Sequence, residues 1–219
     1  MVEHRRHFDR ELGAIEAKVV ELFGMVCEDL QGVTEAILKG TNMAAGQLAD
    51  REQATDALYR EVEHLSCRSI LLQAPVASDL RFLISVLRIA PELERSHDLV
   101  CHIAARADGI AGAELSLRCR GLIARMSELV CDMWQRATDC WCQRDRSAVT
   151  ALTDIDNELD ALHASLVAEL ATGSMALPVT MEMTLVARFY ERLGAHAANI
   201  ARRVVYLAGS AALAESATG

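Results

Sequence analysis

In the stretch PELERSHDLVCHIA, residues 91–104, Glu94 and Asp98 stand four residues apart in a run that is otherwise rich in apolar residues. On a helix that spacing puts both carboxylates on one face, one turn apart. Carboxylates gathered without cations repel and raise one another's pKa, and a bound metal ion relieves them. Hard oxygen donors of this kind suit Mg, Mn, Ca or iron. Phe82, Val86, Ile89, Leu93, Val100 and Ile103 trace a core stripe along the same helix, and Arg81, Arg88, Arg95 and His102, seven apart, trace a solvated one. Glu94 and Asp98 fall on neither. They share a line with Leu80, Leu87, Cys101 and Ala105, which apart from them carries no charge.

The partner for that line is the preceding helix, folded back about Pro75. Residues equidistant from the turn face each other, which sets Asp56 level with Glu94 and Glu52 level with Asp98. The predicted metal site is therefore Glu52, Asp56, Glu94 and Asp98. A second hairpin, centred between residues 175 and 176, repeats the construction with Asp156, Asp160 and Glu191, but the fourth position is Ala195. Metal is expected at the first site ahead of the second. The competing reading is a solvated acidic surface balanced by Arg95, Arg192 and water, since i, i+4 acidic pairs are common on exposed helices. The duplication favours metal.

The elements that must position these groups are helices. The chain has 219 residues, 52% of them hydrophobic, with only 12 Gly, 3 Pro and 4% aromatic residues, a composition that favours helix over strand. Apolar residues recur at spacings of three and four, interrupted at GTN (40–42), around Pro75, at ADGIAG (107–112), QRDRS (143–147) and TGSMALP (172–178). This predicts an all-α chain of six helices near 4–39, 44–73, 76–107, 113–143, 146–171 and 179–209. Glu94-Arg95, Ile103-Ala104 and Arg106 recur at a constant offset of 97 as Glu191-Arg192, Ile200-Ala201 and Arg203. The chain thus reads as two tandem antiparallel three-helix bundles, residues 1–107 and 113–209, with 210–219 as a flexible tail.

Composition also bounds the function. A net charge of −9, with arginines spread along helices instead of clustered, argues against nucleic acid as a partner. No run reaches the length of a membrane span, and MVEHRRHFDREL has no apolar signal core, so a cytoplasmic protein is expected. Seven cysteines without paired CxxC spacing read as reduced core thiols, and Cys140 and Cys142, two apart, point away from each other on a helix. Ser66, Ser69, Ser78 and Ser85 have no recognisable His–Asp pair, and no GxxxxGK[ST] loop is present, so no enzyme is expected. One enzymatic alternative remains: Glu94 to His97 and Glu61 to His64 both show the Glu-x-x-His spacing of di-iron carboxylate oxidases. Folding about Pro75 leaves the two pairs roughly 7 Å apart in height, and His97 is expected to be partly exposed or to support the ligands from behind. A metal-free helical scaffold is the other alternative.

The run LQAPVASDLRFLISVLRIAPELERSHDLVCHIA, with RFYERLGAHAANIARRVVYL and the opening HFDREL, resembles the PhoU family of phosphate-transport regulators over residues 1–209. The resemblance implies two three-helix bundles with metal held through an E/DxxxD motif on the third helix of each. Here the first motif is Glu94 to Asp98, and the second is broken at Ala195. Fe, Mn, Mg and Zn are not distinguished. The resemblance further implies a negative regulator of the phosphate-starvation response. It would connect the ATPase of the phosphate ABC importer with a sensor histidine kinase, at the inner face of the membrane through protein partners. A homodimer is compatible with it.

Overall fold

The structure, a computed structural model, describes residues 2–41, 45–110, 115–144 and 148–216. Six helices follow one another: α1 (Val2–Lys39), α2 (Ala45–Gln73), α3 (Ala77–Ile110), α4 (Leu117–Gln143), α5 (Ala148–Leu170) and α6 (Leu177–Ser216). No strand occurs among the described residues. The chain is all-α, as its periodicity requires.

The helix ends follow local chemistry. At the end of α1 the amide of Gly40 donates to the Ile37 carbonyl at 3.2 Å and that of Thr41 to Ala36 at 3.0 Å, with Gly40 at φ 65°. This closing motif needs a residue tolerant of left-handed backbone, which glycine supplies. The α4 start is capped by Ser116, whose hydroxyl accepts from the Cys119 amide at 3.0 Å. Several boundaries differ from expectation, among them the start of α4, which lies at Leu117 after Ser116 and not near 113. Helix α3 continues through Gly109 to Ile110, where the Glu182 side chain of α6 packs against Gly109. Helix α6 begins at Leu177, with Pro178 in its first turn where a missing amide costs nothing. It then runs to Ser216, into the stretch expected to fray, since LAGSAALAES is rich in alanine. Residues 217–219 lie outside the described residues.

Cross-contacts set the directions. Helix α1 runs antiparallel to α2, shown by Lys18 on Glu61 at 2.8 Å and Arg51 on Asp29 at 2.6 Å, and parallel to α3, shown by Arg5 on Asp79 at 2.7 Å. Arg125 on Glu158 at 2.8 Å and Ser116 on Glu169 at 2.8 Å tie α4 antiparallel to α5 in the same manner. The two three-helix units lie side by side. Helix α3 packs antiparallel on α6, with Arg106 meeting Glu182 at 3.3 Å and Arg203 donating to the Arg88 carbonyl at 2.7 Å. Helix α1 packs antiparallel on α4, with Arg144 on Glu16 at 2.8 Å and Arg120 on the Leu38 carbonyl at 3.1 Å. Thus α1, α3, α4 and α6 enclose the centre, and α2 and α5 flank it on opposite sides.

The shared centre is apolar and contains Trp134, Trp141, Tyr190 and Phe23, all fully buried. Phe23 of α1 meets Trp134 of α4 edge to face at 6.0 Å. One polar knot joins three helices here: the Thr34 hydroxyl of α1 bonds to Ser127 of α4 at 2.9 Å and to the hydroxyl of Tyr190 of α6. Tyr190→Phe removes a buried hydroxyl while Thr34 and Ser127 keep each other. It is expected to cost about 1 kcal/mol of stability, read as a lower urea midpoint by fluorescence of the two buried tryptophans.

Candidate functional site

Helix α3 turns Glu94 and Asp98, both half-buried, toward α2, where Asp56 is half-buried and Glu52 exposed. Burial pushes the Glu94 carboxyl above its ordinary value, the charges of Asp98 and Asp56 push it further, and Arg95 and His97 pull it back only in part. Asp56 is held by Arg60 at 3.1 Å. One turn beyond Asp98, the thiol of Cys101 is pushed up to about 12, first by burial and then by Glu52, Asp98, Asp29 and Asp56. It therefore stays protonated at neutral pH. Four carboxylates thus share a neighbourhood in which Arg60 and Arg95 are the guanidiniums that counter them. In donor type and in uncompensated charge the cluster fits a hard cation. Its side chains are not gathered, however: among the described residues no group of three or more His, Cys, Asp or Glu side chains is arranged to hold a metal ion.

The second cluster is weaker in the same terms. Burial and then Asp160 push the Asp156 carboxyl up, and Glu191 adds to this, but Arg202 opposes them. Glu191 is paired with Arg188. Three carboxylates here face two guanidiniums, and Ala195 contributes no donor. The backbone of α6 comes close at this level: a Cβ on Gly194 would lie 2.3 Å from Leu159 Cδ2 and 3.7 Å from Asp156 Oδ1. Only a glycine lets α5 approach so near.

Behind the first cluster lies an arrangement that sequence reasoning missed. His97 is 1% exposed, so of its two expected places the partly exposed one does not hold, and its Nε2 is 2.8 Å from Asp29 Oδ2 of α1. Arg51 of α2 donates to both oxygens of Asp29, at 2.8 and 3.0 Å through Nε, and His97 Nδ1 faces the Cys101 sulfur at 3.6 Å. Burial pushes the Asp29 carboxyl up, but the hydrogen bonds from His97 and Arg51 outweigh it and hold the group below its ordinary value. The three helices of the first unit are thereby locked at one height. The signal was present as interruptions in two apolar stripes. Asp29 continues the series Ile15, Val19, Leu22, Val26 at the same three- and four-residue steps, and His97 sits between Leu93 and Val100. With His97 occupied by Asp29, and with Glu61 on Lys18 and His64 exposed, the two Glu-x-x-His pairs do not form the shared ligand set of an oxidase.

The comparisons with known proteins cover nearly the whole chain. The family model for the PhoU domain matches it twice, over residues 19–107 and 123–204. The chain belongs to the PhoU family. A relative from Zymomonas mobilis, a "Phosphate-specific transport system accessory protein PhoU homolog", is 30% identical over 97% of this chain and 91% of its own. One of the same name from Rhizobium meliloti is 27% identical over 93% and 88%. The crystal structure of PhoU from Pseudomonas aeruginosa superposes with a TM-score of 0.84 at 25% identity, covering 91% of this chain and 98% of that one. That of the phosphate transport system regulatory protein PhoU from Streptococcus pneumoniae gives 0.83 at 23% identity, over 91% and 96%, a likeness of fold. These PhoU proteins are named as accessory and regulatory proteins, not as enzymes. The paired PhoU matches also fall on the two helical units that the offset of 97 relates.

Asp29 yields a pH test. A carboxyl whose folded pKa is depressed contributes stability that is full above its unfolded value, about 3.9, and is lost as pH falls through the folded one. Asp29→Asn is expected to lower stability at pH 7 by about 2–4 kcal/mol, because it breaks a buried charged network. It is also expected to flatten the decline of the urea midpoint between about pH 5 and about pH 3 relative to the wild type.

Proposed function

We propose that this protein is a metal-binding regulatory adaptor of phosphate uptake. When phosphate is plentiful it holds the phosphate-starvation response off by linking the ATPase of the phosphate ABC importer to a sensor histidine kinase. The observation that carries the role is the chain-long match to relatives named as accessory proteins of the phosphate-specific transport system. An adaptor needs rigid surfaces instead of a catalytic pocket, and six packed helices supply them. No helix among the described residues is long and apolar enough to cross a membrane, which supports reaching the importer through protein contacts at the inner face.

The metal part of the proposal rests on Glu94, whose carboxyl is raised by burial and by Asp98 and Asp56. Glu52, Asp56, Glu94 and Asp98 would hold the ion, and Asp156, Asp160 and Glu191 would hold one more weakly. When bound, the ion supplies the positive charge that two arginines leave wanting. The chain's own contribution is to hold α2 against α3 through Arg51, Asp29 and His97, so that the donors keep their relative height. Fe, Mn, Mg and Zn are all compatible with oxygen donors of this kind. A metal-free scaffold is the second reading, favoured by the side chains' standing apart and by the arginines on Asp56 and Glu191.

Two measurements test these points separately. In a strain with no second family member, deletion is expected to leave phosphate-starvation genes expressed in phosphate-rich medium; normal repression would overturn the regulatory role. Elemental analysis of purified protein is expected to show less metal per chain for Asp98→Ala and more for Ala195→Asp. Equal content in both variants and the wild type would leave the scaffold reading. Glu94→Gln removes a carboxyl whose raised pKa opposes folding at neutral pH, so it is expected to stabilise the metal-free protein while lowering metal content.

A further inference from the structure

The outer seam between α3 and α6 carries charge opposite to that of the chain as a whole. Near its middle, Ser96 of α3 bonds to His196 Nδ1 of α6 at 2.9 Å, and the cations acting on His196 are Arg192, Arg95 and Arg203. The carboxylate set among them is Glu92, 3.9 Å from Arg95 and 3.7 Å from Arg203, with only 12% of its side chain exposed. Arg192 is exposed and among the described residues has no ion pair with an acid, and neither has Arg88, whose carbonyl instead accepts from Arg203. Farther along, His102 stacks on Phe189 at 5.6 Å, and Leu185 is exposed.

Both walls of this seam repeat every seven residues. Arg88, Arg95 and His102 line one wall, and Phe189, His196 and Arg203 the other. A seven-residue step is about 10.5 Å on a helix, so Arg88, Arg95 and His102 are strung out along about 21 Å instead of converging on a point. A single small anion cannot engage them together. Nucleic acid, with a charge every few ångströms on a broad front, would meet Glu94 and Asp98 on one side and Asp156 and Glu191 on the other. A helix that carries carboxylates once per heptad meets the arginines and avoids those flanks. Arginines next to an aromatic and an aliphatic group are also found at protein interfaces.

The geometry points to the α3–α6 seam as a docking groove for an acidic amphipathic helix of a partner protein, with Glu92 as the internal carboxylate that occupies the arginines when the partner is absent. The helix lies along the seam, with glutamates beside Arg203, Arg95 and Arg192 and apolar residues over Phe189 and Leu185 at the far end. This inference stands apart from the phosphate-regulation reading, and normal repression in the deletion strain would leave it untouched.

The test uses purified full-length protein and a fluorescent three-heptad helical peptide with two glutamates and one leucine per heptad, read by anisotropy. Binding is expected at low salt and to weaken as salt rises. Arg95→Glu with Arg192→Glu is expected to weaken it by about tenfold or more. Arg6→Glu with Arg68→Glu, also exposed but elsewhere, is expected to change it by less than about twofold. Glu92→Gln, which frees Arg95 and Arg203, is expected to tighten it. Circular dichroism checks that each variant is folded. Equal binding of the glutamine version of the peptide, or equal loss in both arginine pairs, would overturn the proposal. Displacement by inorganic phosphate would make the seam a small-anion site, and displacement by single-stranded RNA of similar length a nucleic-acid site; either outcome overturns it too.

Discussion

Helix α3 has a separate duty on each of its faces, and the fold depends on their coexistence. Val86, Leu93 and Val100 pack inward, and His97 among them is tied to Asp29 of α1. Glu94 and Asp98 turn toward α2, Ser96 toward α6, and Arg88 and Arg95 toward solvent. Because a helix fixes the angle between successive residues, a shift that serves one face disturbs the other three. Pro91, inside the helix, removes the donor that the Leu87 carbonyl would otherwise receive, and just beside it Arg203 donates to the Arg88 carbonyl. The second unit thus supports α3 where its own hydrogen-bond ladder is weakest.

Polar groups in the interior divide into those that are answered and those that are not. Asp29 is answered: Arg51 and His97 together overcome the penalty of its burial, and its charged form is favoured. Glu94 is not, and its charged form is disfavoured even beside Arg95. The opposite signs of these two shifts, in one three-helix unit, separate a carboxyl answered by its partners from one left uncompensated.

Much of this was legible in the residue pattern. Three- and four-residue spacing gave all six helices, and reflection about Pro75 set Asp56 level with Glu94, whose charges act on one another in the structure. What stayed hidden depended on contacts between distant segments. Asp29 reads as one more acid in CEDLQG until the stripe Ile15, Val19, Leu22, Val26 is extended and found to run through it. His97, expected to be partly exposed or to support the ligands from behind, is in step with Leu93 and Val100, and its place in the core shows only once Asp29 of α1 is set opposite it. The extension of α3 through Gly109, where Glu182 of α6 lies alongside, has no local signal. Nor does a tandem repeat say how its copies meet. The antiparallel packing of α3 on α6 follows from Arg106 meeting Glu182 and Arg203 meeting Arg88, at opposite ends of each helix.

That antiparallel meeting gives the two carboxylate clusters a common setting. Because the copies are related across the seam, the first cluster lies on its α2 side and the second on its α5 side, with the arginines between them. Neighbouring helix axes are separated by about 8–10 Å, close to the Debye length of about 8 Å at physiological ionic strength. Charge at either cluster is therefore felt at the seam, though attenuated. An ion held by Glu52, Asp56, Glu94 and Asp98 would cancel the negative flank nearest Arg95 and raise the attraction of the seam for an acidic helix. The second cluster, where Arg188 and Arg202 already stand in for a cation, would change it less. In this arrangement, with Ala195 where the first cluster has Asp98, metal would act on the first flank and leave the second nearly fixed.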